Sequence, residues 1–189
     1  MTHDNLRALL SQVLGTEFKY ALLSLGIYTK ETNDQMPGPG VTNLRDALTH
    51  VRKVFSEQDL DVQLEQLCCA REHIRRAAVE TFQELFEQRY HYFYKEYQKY
   101  RYHCQPYEAP LSYAGSVDHE HIMDEFERLK SVFKTCRTAK DGGDWNHNII
   151  EFRTACKEIR ALGTLVSEAF AKYSSSGGDL SALHHSHTA

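Results

Sequence analysis

Apolar residues recur along most of this chain at alternating steps of three and four, the spacing that lines one face of an α-helix. Toward the C-terminus Ile149, Phe152, Cys156, Ile159, Gly163, Val166, Phe170 and Tyr173 keep that rhythm, and Ile122, Phe126, Leu129, Phe133 and Cys136 keep it in the segment before. "KDGGD", residues 140–144, stands between them as a helix stop, short loop and N-cap, which predicts an antiparallel helical pair.

Upstream, Leu60, Leu64, Leu67, Ile74, Ala78, Phe82 and Leu85 repeat the pattern, and no Gly or Pro interrupts the chain from Ser56 until Pro106. One very long helix from about Glu57 to Tyr102 is the economical reading. "NDQMPGPGVTN" and "YEAPLSYAGS" read as loops by their Pro and Gly content, the second ending in a Ser116 cap. A shorter helix over Leu44 to Phe55 buries Leu44, Ala47, Leu48, Val51, Val54 and Phe55. The first segment, Asp4 to about Tyr28, is apolar at Leu6, Leu10, Val13, Tyr20 and Ile27, with a bend or break expected at Gly15. The fold class is therefore all-α: a mainly antiparallel helical bundle of about five helices with one very long central helix. Residues 1–175 form a single helical-bundle domain and 176–189 a mobile C-terminal tail; there is no internal repeat.

Composition narrows the class without changing it. The chain has 189 residues, 41% hydrophobic and 25% charged, as in a soluble globular domain. A formal net charge of −4 excludes a polycation that coats nucleic acid, so any RNA site must be a local patch. The N-terminus lacks the basic and apolar regions of a secretory signal, and no apolar run is long enough to span a membrane. Five cysteines, two of them adjacent at Cys68 and Cys69, make a poor disulfide framework. A reducing cytoplasm is the expected location.

Candidate chemistry begins in "NLRDALTH". Arg45 and His50 flank the apolar stripe of their helix on opposite sides, and Asp46 lies one turn before His50, placed to orient the imidazole. Asp46 is also three residues after Asn43, so the two could instead form a reciprocal helix cap, a purely structural role. In "REHIRR", Arg71 falls on the apolar stripe of the long helix, where a guanidinium needs a carboxylate or a cleft. Glu17, similarly placed between Val13 and Tyr20, is the candidate partner; a phosphate contact is the functional alternative. Arg71, His73 and Arg75 are the candidate substrate-binding residues, with His73 the one placed to approach His50.

Arg45, Asp46 and His50, together with the all-helical pattern, resemble the HEPN superfamily, helical bundles found in many prokaryotic RNA-cutting toxins and defence proteins. The family motif is an Arg followed by a polar residue and, after a short spacer, a His. The resemblance implies metal-independent RNA cleavage, with Arg45, Asp46 and His50 catalytic and two protomers completing one cleft. A His can move the proton of a ribose hydroxyl while an Arg stabilises the phosphorane.

Two further segments carry rival readings. "RYHYFYKEYQKYRYH", Arg89 to His103, could stack on RNA bases, but Phe82, Phe86, Phe93, Tyr97, Tyr100 and Cys104 form a helical stripe suited to core or oligomer packing. Tyr92, Lys95, Lys99, Tyr102 and His103 then face outward. "DHEHIMDE" lacks metal-ligand spacing, so no metal or other cofactor is expected. Two functions from different classes follow. One is a HEPN-like ribonuclease or RNA-binding component of a prokaryotic toxin or defence system. The other is a non-enzymatic bundle that self-associates or docks a protein through the aromatic end of its long helix. RNA, a second copy and a protein docked at the aromatic end of the long helix are the candidate partners, and no membrane is.

Overall fold

The computed structural model describes residues 3–33, 35–104, 119–138 and 145–175. These are helical almost throughout: α1 (His3–Gln12) passes through a π-helical turn (Val13–Glu17) into α2 (Phe18–Glu31), followed by α3 (Gly38–Ser56), α4 (Leu60–Cys104), α5 (His119–Thr138) and α6 (Trp145–Ser175). Among the described residues the fold is an all-α, mainly antiparallel bundle, and α1 and α2 together make the first of five rods. The long helix α4 runs without a break for 45 residues, about 68 Å at the usual rise. It starts slightly later than the sequence suggests because Asp59 caps it: Asp59 Oδ1 accepts the backbone N–H of Asp61 at 2.8 Å. The expected loops at 140–144 and 107–116, the Ser116 cap and the tail at 176–189 lie outside the described residues.

Two boundaries differ from expectation. The segment "NDQMPGPGVTN" is not all loop, because α3 begins at Gly38 with a Pro in its first turn. Proline's fixed φ suits that position, and its missing N–H is not needed there. At the expected break near Gly15 the chain stays helical but widens to π geometry, which brings Val13 and Glu17 into the buried row continued by Ala21, Ser24 and Tyr28. Tyr20 and Ile27 are accordingly only half-buried.

The described residues divide between two compact units, bounded by Met1–Phe86 with Val132–Thr154 and by Glu87–Ser131 with Ala155–Ala189. In the first, small residues let α3 approach α4. A Cβ on Gly40 would overlap Thr81 Oγ1, and that hydroxyl is committed, donating to the Ala77 carbonyl at 2.7 Å. Aromatic packing adds Phe82 against Phe152 at 6.2 Å and Phe86 stacked on Phe133 at 4.5 Å.

In the second unit the aromatic end of α4 is core. Phe93, Tyr97 and Tyr100 are buried, and Phe126 of α5 stacks on Phe93 at 4.8 Å. Gly163 lets α6 pass close, since a Cβ there would sit 3.0 Å from the Tyr92 ring. Arg89 is buried and donates to the Cys156 carbonyl; burial lowers its proton affinity from the usual arginine value. The Arg89–Cys156 and Tyr92–Gly163 contacts advance together along both helices, so α4 and α6 run parallel here. Arg128 ties α5 to α6 through Glu158 at 2.6 Å. Tyr92 and Lys95 are outward, as the spacing predicts.

Gly40→Ala should destabilise the protein by about 1–3 kcal/mol through overpacking, and adding Thr81→Ala should recover part of that loss in thermal melts. Burial raises the Tyr97 phenol above its usual value, opposed by the charge of Arg101. Its contribution is therefore complete below the unfolded phenol value of about 10 and lost as pH rises through the higher folded value. Melting temperature should fall across that window, and Tyr97→Phe should flatten the fall.

Candidate functional site

α3 and α4 meet along a row of polar side chains spaced two helical turns apart, Asn43 and His50 on α3 and Gln66, His73 and Glu80 on α4. Such spacing repeats nearly the same face of a helix, which is why these residues share one seam. His73 Nδ1 lies 3.1 Å from Asn43 Oδ1, and His50 Nδ1 lies 2.8 Å from Gln66 Oε1. The Asn43 amide is oriented by its own donors, since Nδ2 donates to Glu80 Oε2 at 2.7 Å and to the Pro39 carbonyl at 3.0 Å. Its oxygen must then face His73, so the neutral ring donates from Nδ1 and keeps its lone pair on Nε2. The Gln66 oxygen imposes the same tautomer on His50. The two rings stack with centroids 5.3 Å apart and planes 18° from parallel. Parallel rings aim their lone pairs side by side instead of at one point, a poor arrangement for a shared ion. Among the described residues no group of three or more His, Cys, Asp or Glu comes together to hold a metal.

His50 and His73 are thus brought together, but Arg45 is not brought to them. Its side chain is 74% exposed and lies with that of Asp46, whose Oδ1 is 3.3 Å away. Asp46 neither caps the helix nor orients His50. Because α3 starts at Gly38, Asn43 is an interior residue, and Gln66 holds the position next to the imidazole.

Arg71 has the partner that its place on an apolar stripe demands. Its Nε donates to Glu17 Oε1 at 2.9 Å, and Arg75 donates from Nη2 to the same oxygen at 2.9 Å. The Glu17 carboxylate is 1% exposed, whereas the two arginines keep about a quarter of their surface in solvent. The Arg75 guanidinium also lies 5.4 Å over the Trp145 ring. Of the two sequence readings for Arg71, the ion pair matches this geometry. The role of Arg75 was legible in principle, since a residue four after Arg71 shares its face. His73, on the α3 side of the same helix, is separated from both.

A second feature escapes periodicity altogether. α2 buries Ala21, Ser24 and Tyr28 while Leu22 is half exposed, and α3 leaves out Leu48 and Phe55, which the sequence pattern assigns to the core. Leu22, Leu25, Met36, Val41, Leu44 and Leu48 line a groove of about 750 Å³ between α2 and α3, with Gly26, Thr29, Lys30 and Arg45 completing it. Contiguous exposed aliphatics of this kind mark interaction surfaces. The signal available in sequence was that α2 is apolar on more than one side.

No helix among the described residues is long and apolar enough to cross a membrane. No family model, characterised protein or solved structure matches this chain.

The Glu17 cluster generates an asymmetric expectation. Replacing Arg71 and Arg75 together by Met strands a buried carboxylate and should cost about 3–5 kcal/mol. Glu17→Gln should cost less, because both guanidiniums can turn toward water. Chemical denaturation of both variants measures the difference.

Proposed function

We propose that this chain is a non-enzymatic helical module that docks a protein partner through the groove between α2 and α3. The observation that carries this reading is the inverted burial of the groove walls. Small Ala21 and Ser24 take the inside positions, while Leu22, Met36, Val41 and Leu48 are 50%, 66%, 42% and 54% exposed. Burying the half of each side chain that is still exposed would gain on the order of 1 kcal/mol apiece, which a docked partner supplies and solvent does not. The docking surface differs from the one the sequence suggested, because the buried aromatics of α4 are covered by this chain's own helices.

A second reading is favoured by the His50–His73 pair. In a HEPN-like, metal-independent ribonuclease or RNA-binding component of a prokaryotic toxin or defence system, two imidazoles with available Nε2 atoms divide general-base and general-acid work. Arg45, exposed and away from them, then serves the cleft of a second protomer. Arg71 and Arg75 are poor phosphate contacts in this reading, since both already serve Glu17.

Site-specific photo-crosslinking in the native host separates the two. A photoreactive residue at Leu22 or Leu48 should capture protein, one at the outward Glu72 should not, and Leu48→Asp should abolish capture at Leu22 without altering the melting temperature. RNA adducts, together with single-stranded RNA cleavage in chelator that is lost in His50→Ala and His73→Ala, would replace docking with the ribonuclease reading.

A further inference from the structure

Resting on the docking reading, we infer that the groove's occupant is an amphipathic helix of a partner protein, with carboxylates flanking its apolar stripe. Shape selects the helix. The walls are themselves helices, whose backbone donors and acceptors are satisfied internally, so the groove offers no edge on which a strand could be added. The lining runs from Leu22 to Lys30 on α2 and from Val41 to Leu48 on α3, about 11–12 Å on each side. That length takes two turns of a third helix, with anchors at i, i+3 or i+4, and i+7. Gly26 lies between Leu22 and Lys30 on the α2 wall, and a Cβ built there meets nothing within 4 Å. The wall is lowest there, leaving room for an anchoring side chain.

Charge selects the acid. Lys30 and Arg45 are the charged residues in the lining, and no Asp or Glu joins them. The neighbouring Asp46 contacts Arg45 at 3.3 Å in an exposed pair, an interaction worth little, so the guanidinium is available to a better-placed carboxylate. A second copy of this chain is a poorer occupant. Two-fold pairing would bring two Lys30 and two Arg45 side chains into one interface with no lining carboxylate to answer them.

The test uses the full chain and three fluorescent synthetic peptides of about 16 residues, long enough to fill the groove as a helix. All carry the same Leu stripe, flanked by Glu, Gln or Lys. Fluorescence anisotropy should show the Glu peptide binding about tenfold or more tighter than the Gln peptide, with the advantage shrinking in high salt. Lys30→Glu with Arg45→Glu should transfer the preference to the Lys peptide. Gly26→Leu should abolish binding while the melting temperature stays level or rises, because leucine is the better helix former. Equal affinity for all three peptides, or binding that survives Gly26→Leu, would overturn the inference. So would a dimer in sedimentation that Gly26→Leu dissociates, which assigns the groove to a second copy, or exclusion of the peptide by oleate, which assigns it to a lipid. Flat peptide preferences with intact crosslinks at Leu22 and Leu48 would sink the acidic helix alone. Loss of those crosslinks as well would sink the docking reading with it.

Discussion

A carboxylate almost sealed from solvent, held by two guanidiniums from successive turns of another helix, fastens the N-terminal rod to α4. Glu17 could not sit where it does without Arg71 and Arg75, because an uncompensated buried charge is strongly unfavourable. Its placement depends in turn on the π-helical turn, which widens the rod so that Val13, Glu17 and Ala21 share a face. That registration decides the rest of α2. Once Ala21, Ser24 and Tyr28 face inward, Leu22 must point elsewhere, and the α2 wall of the groove follows from an ion pair at the rod's π-helical turn.

α3 divides its surface in a related way. Toward α4 it presents Gly40, Asn43, Ala47 and His50, small or polar residues that permit a close crossing and a hydrogen-bonded seam. Its aliphatic residues Val41 and Leu48 are thereby left on the α2 side, beside Arg45. The polar seam and the apolar groove are consequences of one helix orientation. It also separates Arg45 from His50, which periodicity had already placed on opposite flanks. The paired histidines owe their tautomers to amide oxygens on facing helices, so the same contacts that hold the seam determine which nitrogen each ring offers.

The sequence by itself determined the helical class, the unbroken course of α4, the inward positions of Ile122, Phe126 and Leu129 on α5 and of Ile149, Phe152, Cys156, Ile159 and Val166 on α6, and the need of Arg71 for an acid such as Glu17. These rest on local periodicity and on the cost of burying charge, both of which act whatever the neighbours are. Only the tertiary structure decided that Phe93, Tyr97 and Tyr100 belong to a core closed within this chain, that Leu48 and Phe55 lie outside, and that His50 stacks on His73 while Asp46 turns to Arg45. The reason is geometric. Periodicity gives the angle of a side chain about its own helix axis but not which helix, if any, occupies that angle, and an apolar face satisfies the same pattern whether it meets its own core or awaits another protein.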